Sequence, residues 1–258
     1  MNTQTINFHK EGSYCCLTLN REDKCHAINE QMIEELDIIL NEIEVDSEIR
    51  LVEITGKGDK FFCAGGDIIS WSAYSPLDMG RKWIKRGNEV FNRLRNLPKL
   101  TIAHINGHAI GGGLELALCC DIRIARPNAK FSTPEVTLGM IPGWMGIERI
   151  LALLPQSAAR EMLLLGKRLN ATEAYELGLV NEVAEKDSAP TWINAKKEEV
   201  AKCGPVALAH IKQLINAITD KHTTFDHQLL AALMAATEDC KSATEAFANK
   251  NTPTFTDN

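Results

Sequence analysis

Residues Gly107–Cys120 read GHAIGGGLELALCC, with three consecutive glycines ahead of an apolar run that contains a single acid, Glu115. Each glycine costs about 0.5 to 1 kcal/mol relative to alanine where regular structure is formed, so a compensating role is expected. Glycine lets the main chain approach a ligand closely, and the N–H groups at a helix start have no partners within the helix. The stretch therefore predicts a tight turn into a helix whose first N–H groups suit a carbonyl oxygen that becomes negatively charged.

Glu115 lies in the first turn of this predicted helix, which is apolar around nearly its whole circumference and should be buried. A buried carboxylate has a raised pKa, the property required of a group that exchanges protons near neutral pH. The alternative is a first-turn glutamate that is simply stabilised by the helix dipole. The local sequence leaves both interpretations open.

A second glycine loop lies in FFCAGGDI, residues 61–68, where Ala64, Gly65 and Gly66 precede Asp67. Two such loops can each supply one N–H to a shared oxyanion hole, in which one donor contributes about 2.7 to 4 kcal/mol of transition-state stabilisation. Glycines also mark ordinary strand-to-helix connections, and local sequence alone favours that interpretation. Glu135, which follows Pro134 in a predicted loop, is on its own more typical of a solvated acid.

Strands alternate with helices through the first 185 residues, which indicates an α/β fold. Helical periodicity runs from Ile28 to Ile43, and a further helix is expected from about Asp78 to Leu97. The expected strands cover residues 13–19, 50–55, 100–105 and 121–125. We divide the chain into a core with the active site, residues 1–190, and a C-terminal helical region, residues 191–258.

The C-terminal region carries an amphipathic face that requires burial on its own core or on a neighbouring subunit. The apolar positions of that face are Leu229, Leu230, Leu233, Met234 and Phe247.

Composition narrows the functional classes. The 258 residues are 45% hydrophobic and 24% charged, and the formal net charge of −6 argues against nucleic-acid or anionic-membrane partners. No apolar run is long enough to span a membrane and no signal sequence is recognised, so a cytoplasmic location is expected. The eight cysteines are expected to be reduced, buried thiols, and the scattered histidines and cysteines predict no metal site.

Several motifs together resemble the crotonase superfamily, the enoyl-CoA hydratases and isomerases. The resemblance covers essentially the whole chain, and the order and spacing of the motifs are more specific than any one of them. The matching residues are Asn106-Gly107-x-Ala109-x-Gly111-Gly112-Gly113-x-Glu115-Leu116-Ala117, Cys120-Asp121, Ala64-Gly65-Gly66-Asp67-Ile68, Pro134-Glu135 and Leu138-Gly139-x-x-Pro142-Gly143.

The resemblance implies a spiral of ββα units with a C-terminal helical region that packs trimers, often stacked as hexamers. It implies an acyl-CoA thioester substrate and no separate cofactor. The oxyanion-hole amides would be those of Gly66 and Gly112, and Glu115 and Glu135 would hold a water between them. Contacts to substrate or coenzyme A are expected from Lys24, Ala27, Ala64, Asp67 and Ile68, and more weakly from Phe247, Lys250 and Phe255 of a neighbouring subunit.

Departures from the family pattern concern the substrate pocket. Trp144 and Met145 stand where small residues are common, and they either narrow the acyl pocket or pack at a helix start. His26 replaces a usual asparagine, and Ile69 a frequent lysine. Two glutamates favour hydration of a trans-2-enoyl-CoA. The alternatives are another acyl-CoA reaction (isomerisation, decarboxylation or thioester hydrolysis) or a non-catalytic CoA-binding oligomer, and the acyl chain length stays open.

Overall fold

The structure is a computed structural model that describes residues 4–219 and 238–249, together with residues 251, 254 and 256. Ten strands are present in this part of the chain: β1 Ile6–Glu11, β2 Tyr14–Leu19, β3 Leu51–Gly56, β4 Phe61–Cys63, β5 Leu100–Ile105, β6 His108–Ile110, β7 Ile122–Ala125, β8 Lys130–Ser132, β9 Leu169–Asn170 and β10 Glu182–Val183.

The α-helices are numbered in chain order up to residue 219. They are α1 Glu30–Val45, α2 Ile68–Ser72, α3 Pro76–Asp78, α4 Lys85–Arg95, α5 Gly112–Ala117, α6 Gly146–Leu153, α7 Gln156–Leu165, α8 Ala171–Glu176, α9 Ala189–Ala201 and α10 Pro205–Thr219. A π-helical turn, Met79–Ile84, leads into α4, two 3-10 turns cover Glu22–Lys24 and Pro134–Leu138, and a further helix covers Glu238–Asn249.

The chain alternates between two sheets. Strands β3, β5 and β7 lie side by side in a six-stranded sheet of order β1-β2-β3-β5-β7-β10, and each continues into a strand of a second sheet of order β4-β6-β8-β9. Apart from the antiparallel pairs β1·β2 and β8·β9, neighbouring strands are parallel. A helical segment then returns the chain to the first sheet, so the expected ββα spiral and the α/β fold class are confirmed.

Successive turns of the spiral pack closely where the chain passes from one sheet to the other. The buried side chain of Asn106 donates to the carbonyls of Gly58 and Phe61, at 2.8 and 3.2 Å, and accepts from the N–H of Gly56 at 2.9 Å. A Cβ on Gly107 would lie 2.3 Å from the carbonyl of Lys60, so only glycine fits there. These contacts fix how far one turn is displaced from the next.

The six-stranded sheet is covered on both faces, which explains why β3 is apolar along most of its length. Val52 and Ile54 face the main core with α1, whereas Leu51 faces a smaller apolar cluster with Ile193 and Val200 of α9. The start of α9 lies close to the expected boundary at residue 190.

Helix α10 is anchored to the edge of this sheet by a buried lysine. The ammonium of Lys212 lies 2.8 Å from the Asp121 carboxylate and donates to the carbonyl of Lys99 at 3.0 Å. The apolar positions expected to need burial in residues 229–234, together with the side chains of Phe247, Lys250 and Phe255, lie outside the described residues.

The expectation of buried thiols is correct for only some of the cysteines. Cys15, Cys63, Cys119 and Cys120 are buried free thiols, but Cys16 and Cys25 are partly exposed and Cys203 is exposed. Among the helices of the described ranges, none combines the length and apolarity that crossing a membrane requires.

Candidate active site

Three neighbouring parallel strands end at one edge of the second sheet, and each is followed closely by a candidate functional residue. Gly66 follows β4, Gly112 follows β6, and Glu135 follows β8. Because these strands are adjacent, the spiral brings together residues that are far apart in sequence. Glu115 joins them from the first turn of α5.

Glu115 is a buried acid held by main-chain groups. It is 2% exposed, and its Oε1 accepts hydrogen bonds from the N–H groups of Trp144 and Gly146 at 2.8 and 2.9 Å. Burial raises the pKa of Glu115 to about 7, and the nearby charge of Glu135 adds to the effect, while the two N–H groups oppose it. The sequence-based prediction of a buried acid with a raised pKa therefore describes this residue.

Glu135 lies in a 3-10 turn rather than in the irregular loop that the sequence suggested. Its side chain is partly buried, burial raises its pKa, and its buried Oε2 has no hydrogen-bond partner within the described part of the chain. A Cβ on Gly111 would lie 2.7 Å from Oε1 of Glu135, and Gly111 has a φ of 53° that L side chains rarely adopt. Gly111 thus leaves the space that Glu135 occupies.

The N–H groups of Gly66 and Gly112 are both available to a ligand. Gly66 pairs with Ile28 in a parallel bridge whose two hydrogen bonds use Gly65 O and Asp67 N, so the N–H of Gly66 points the other way. A Cβ on Gly112 would lie 3.3 Å from the nitrogen of Gly66, which places the two loops in contact. Among the described residues, neither N–H has a protein partner.

Asp67 and Arg21 tie the Gly66 loop to the segment before α1. The Arg21 guanidinium lies 2.9 Å from the Asp67 carboxylate and also donates to the carbonyl of Ala27. The Asp67 side chain also caps α2 by accepting from the N–H of Ser70 at 3.4 Å. These contacts give Asp67 a structural role, and its expected contact with substrate stays a prediction.

His26 holds the same segment from the other side. Its Nδ1 accepts from the N–H of Arg21 at 3.1 Å, so Nε2 carries the proton and donates to the carbonyl of Lys57 at 2.9 Å. Burial lowers the pKa of His26, which keeps this ring neutral. Its φ of 57° lies in the left-handed region that asparagine adopts readily, which is consistent with the asparagine usual at this position.

These groups surround a cleft of about 620 Å³, its open mouth included. One side is polar and contains Glu115 and Glu135, and much of the rest is apolar. The other lining residues are Ala64, Gly65, Gly66, Ile68, Trp71, Met79, Trp83, Ile84, Gly111, Gly112, Pro134, Leu138, Met140, Ile141 and Trp144.

The cleft includes most of the residues that the sequence singled out, but not all. Lys24, Ala27 and Asp67 lie outside its lining, and Lys24 is exposed in the turn Glu22–Lys24. Trp144 lines the cleft, whereas Met145 lines a separate cavity with Glu148 and Leu151. Met145 has a φ of 62°, and this left-handed turn separates its side chain from that of its neighbour.

Sequence reasoning missed the wall formed by the π-helical turn. Met79, Trp83 and Ile84 all line the cleft from this turn. Their spacing was compatible with an apolar helix face, but periodicity identifies such a face without saying which cavity it borders. Three exposed apolar residues, Ile68, Leu138 and Ile141, also line the cleft.

The site therefore combines two main-chain donors with two acids whose pKa values are raised by burial, in a cleft whose lining is largely apolar. The donors suit an oxygen on which negative charge develops, and the acids suit proton transfer near neutral pH. In the described residues, no group of three or more His, Cys, Asp or Glu side chains is arranged to hold a metal ion.

Comparison with known proteins agrees with this arrangement. The model of the enoyl-CoA hydratase/isomerase family matches residues 9–258. The chain is 37% identical over 254 residues to the short-chain-enoyl-CoA hydratase of Clostridium acetobutylicum, with 97% of each chain covered. It is 33% identical over 257 residues to the crotonyl-CoA hydratase of Syntrophomonas wolfei, with 98% of each covered.

A solved structure of an enoyl-CoA hydratase from Bacillus anthracis superposes with a TM-score of 0.87 at 32% identity, covering 99% of this chain and 100% of that one. The fold, the paired glycine loops and the sequence similarity extend over nearly the full length. The chain belongs to the enoyl-CoA hydratase/isomerase family.

Proposed function

We propose that the protein adds water across the double bond of a trans-2-enoyl-CoA thioester. The observation that carries the proposal is the pair of acids with raised pKa values, the buried Glu115 and the partly buried Glu135, in the cleft that holds the free N–H groups of Gly66 and Gly112. An isomerase needs only one group to move a proton between two carbons, whereas hydration also requires a positioned water. Relatives named for hydration of short enoyl-CoA and crotonyl-CoA support the same reaction.

In the proposed mechanism, the thioester carbonyl accepts hydrogen bonds from Gly66 and Gly112. A water held between the two carboxyl groups attacks the β-carbon, and one carboxylate takes its proton. The electron pair of the double bond moves toward the thioester oxygen, where the two N–H groups stabilise the enolate. A proton is then delivered to the α-carbon, so that the elements of one water are added in total.

Hydration requires a group that can exchange a proton near neutral pH and a group that can hold the attacking water. Glu115 meets the first requirement and Glu135 the second. A pKa of about 7 leaves Glu115 present in both protonation states near neutral pH. Glu135 presents Oε2, the buried oxygen with no partner in the described structure, which is free to hold a water. One charged and one neutral carboxyl group can thus be present together.

The remaining predictions form part of the proposal. Coenzyme A enters as part of the substrate, and no additional cofactor takes part. The residues proposed to contact the substrate or its CoA portion are Lys24, Ala27, Ala64, Asp67 and Ile68. The protein acts in the cytoplasm as a trimer or hexamer, with neither a nucleic acid nor a membrane as partner. Light scattering coupled to size-exclusion chromatography measures the oligomeric state directly.

Turnover of crotonyl-CoA tests the proposed reaction. We expect loss of the absorbance of the enoyl thioester and a product heavier by one water in mass spectrometry. Glu115→Gln and Glu135→Gln should each lower kcat by about 10²- to 10⁴-fold, as expected for loss of general acid–base catalysis. A product of unchanged mass indicates isomerisation, and released coenzyme A indicates thioester hydrolysis. Crotonyl-CoA has no carboxyl group to lose, so decarboxylation is tested separately by release of carbon dioxide from malonyl-CoA.

A further inference from the structure

Trp144 lies beside both parts of the proposed reaction site, namely the two glycine loops and the acid Glu115. On its side-chain edge, Cζ3 lies 2.5 Å from the position that a Cβ on Gly112 would occupy, and Cη2 lies 3.7 Å from the corresponding position on Gly66. Its main-chain N–H donates to Glu115 at 2.8 Å. The carbons of an acyl group that react between the two glycines and Glu115 must therefore lie beside the Trp144 indole.

The indole cannot easily turn away from this position. It is 3% exposed and packs against Trp83 and Phe91, with ring centroids 5.2 and 5.0 Å from its own. Both partners are buried as well, so the aromatic cluster is backed by α4 and the π-helical turn. The main chain is fixed too, because the carbonyl of Trp144 accepts from the buried guanidinium of Arg149 at 2.8 Å.

Gly87 of α4 makes room for this ring. A Cβ at position 87 would lie 2.2 Å from Nε1 of Trp144 and 2.6 Å from Cε2, distances that no side chain can adopt without displacing the indole. Glycine within a helix costs about 1 kcal/mol relative to alanine, so its presence in α4 is explained by the contact with Trp144. The pair Gly87 and Trp144 thus acts as one unit.

From these contacts we propose that Trp144, seated on Gly87, closes the inner end of the acyl cleft and restricts the substrate to short acyl chains. A chain that continues past the β-carbon meets a rigid ring rather than an open channel. The proposal rests on the proposed hydratase function and adds a specificity-determining residue to it.

The test compares crotonyl-, hexenoyl-, octenoyl- and decenoyl-CoA as substrates. For the unchanged protein, kcat/KM should fall as the chain lengthens. We take the kcat/KM for octenoyl-CoA divided by the kcat/KM for crotonyl-CoA as a measure of length preference. Trp144→Leu should raise this ratio by about tenfold or more, because fitting or excluding one methylene in an apolar pocket changes kcat/KM by about that factor. Trp144→Phe preserves the aromatic packing and should change the ratio less.

Trp192→Leu is the matched control. Trp192 belongs to α9 and packs against the smaller apolar cluster of the six-stranded sheet, which is separate from the main core that contains Trp144. It should leave the ratio unchanged. The inference is wrong if the unchanged protein has the same kcat/KM for octenoyl-CoA and for crotonyl-CoA. It is also wrong if Trp144→Leu lowers kcat/KM for every chain length by the same factor.

Failure of the hydratase proposal gives a different result, namely no turnover of any enoyl-CoA. Calorimetric binding of butyryl-CoA and octanoyl-CoA then still tests the length limit. Trp144→Leu should tighten octanoyl-CoA relative to butyryl-CoA by about tenfold, and equal effects on the two ligands would overturn the inference.

Discussion

The carboxylate of Glu115 and the main-chain nitrogen of Trp144 lie 2.8 Å apart, so a proposed catalytic acid is oriented by a group that nearly every residue type possesses. A substitution at position 144 that keeps the N–H leaves this hydrogen bond available. The side chain at 144 can therefore change the shape of the cleft while the orientation of Glu115 is retained.

Glu115→Gln should make the protein more stable at high pH. The pKa of Glu115 is about 7 in the folded protein against an ordinary value of 4.5, so folding disfavours the ionised form. That cost is absent below the ordinary value and grows as pH rises toward 7, and it reaches at most about 3 kcal/mol. Glutamine keeps an oxygen for the N–H groups of Trp144 and Gly146 but carries no charge.

Urea unfolding of both proteins at pH 5 and pH 8 measures this difference. The variant should exceed the unchanged protein in free energy of unfolding at pH 8 and approach it at pH 5. Equal differences at the two pH values would show that Glu115 is not ionised at a cost in the folded state.

Gly111→Ala should reduce activity far more than a comparable glycine substitution elsewhere. Both Gly111 and Gly178 have a positive φ, 53° and 81°, so alanine strains each by about 1 kcal/mol. Only at position 111 does the new Cβ meet the Glu135 carboxylate, because no atom of the described residues lies within 4 Å of the corresponding position at Gly178. We expect kcat to fall about tenfold or more for Gly111→Ala.

Gly178→Ala, with a similar loss of thermal stability, should keep kcat within about twofold, since its strain lies away from the cleft. Parallel measurements of Tm and kcat separate strain from displacement of Glu135. Comparable activity losses in the two variants would argue that Gly111 serves only the backbone turn.

Arg149→Met should change the orientation and the pKa of Glu115, although Arg149 makes no hydrogen bond to that carboxylate. The buried guanidinium donates to the Trp144 carbonyl at 2.8 Å and to Asn92 at 3.0 Å, so its loss loosens the turn that holds Glu115. Burial raises the pKa of Glu115, and the positive charge of Arg149 opposes part of that rise. We expect a lower kcat and a pH–rate profile displaced to higher pH, whereas Arg149→Lys should retain the position of the profile.

Arg160→Met is the matched control, because Arg160 is exposed on α7. It should change neither kcat nor the pH profile. An Arg149→Met protein with reduced kcat but an unshifted profile would indicate a purely mechanical role for Arg149.

His26→Ala should weaken substrate binding more than the chemical step. The substitution removes the bonds to the Arg21 N–H and the Lys57 carbonyl, each contributing about 1 kcal/mol, and frees the segment that pairs with the Gly66 loop. We expect KM to rise about tenfold with a smaller change in kcat. His26→Asn should restore most of KM, because asparagine accepts the left-handed conformation and offers an oxygen to Arg21.

Initial-rate kinetics on the three proteins test this expectation. A KM for His26→Asn as high as that for His26→Ala would show that the ring itself, rather than the backbone conformation and the Arg21 contact, positions the segment.

Much of the fold followed from the sequence because buried strands and amphipathic helices leave strong patterns. The strand Leu51–Gly56 and the helix Glu30–Val45 were both expected close to their observed limits. Strand β1 was missed because INFHKE is an edge strand with mostly polar residues, in which the apolar alternation is limited to Ile6 and Phe8.

Some features of the site could also be predicted from the sequence, and others could not. The burial of Glu115 could be inferred from its apolar neighbours, whereas the approach of Glu135 depends on strand order, which local sequence does not carry. Met145 shows a further limit. Adjacent residues at the start of α6 were expected to share a pocket, but a single left-handed φ directs the second side chain to another cavity.

The order of strands β4, β6 and β8 has a consequence for how such a protein can change its substrate. Neighbouring strands are about 4.8 Å apart, so the separation of the Gly66, Gly112 and Glu135 segments follows from sheet geometry and is common to any chain that winds in this way. The indole of Trp144 and the space above Gly87, by contrast, depend only on which side chains stand at positions 144 and 87. Evolution or a protein engineer can therefore alter substrate preference at these two positions while inheriting the chemistry from the backbone.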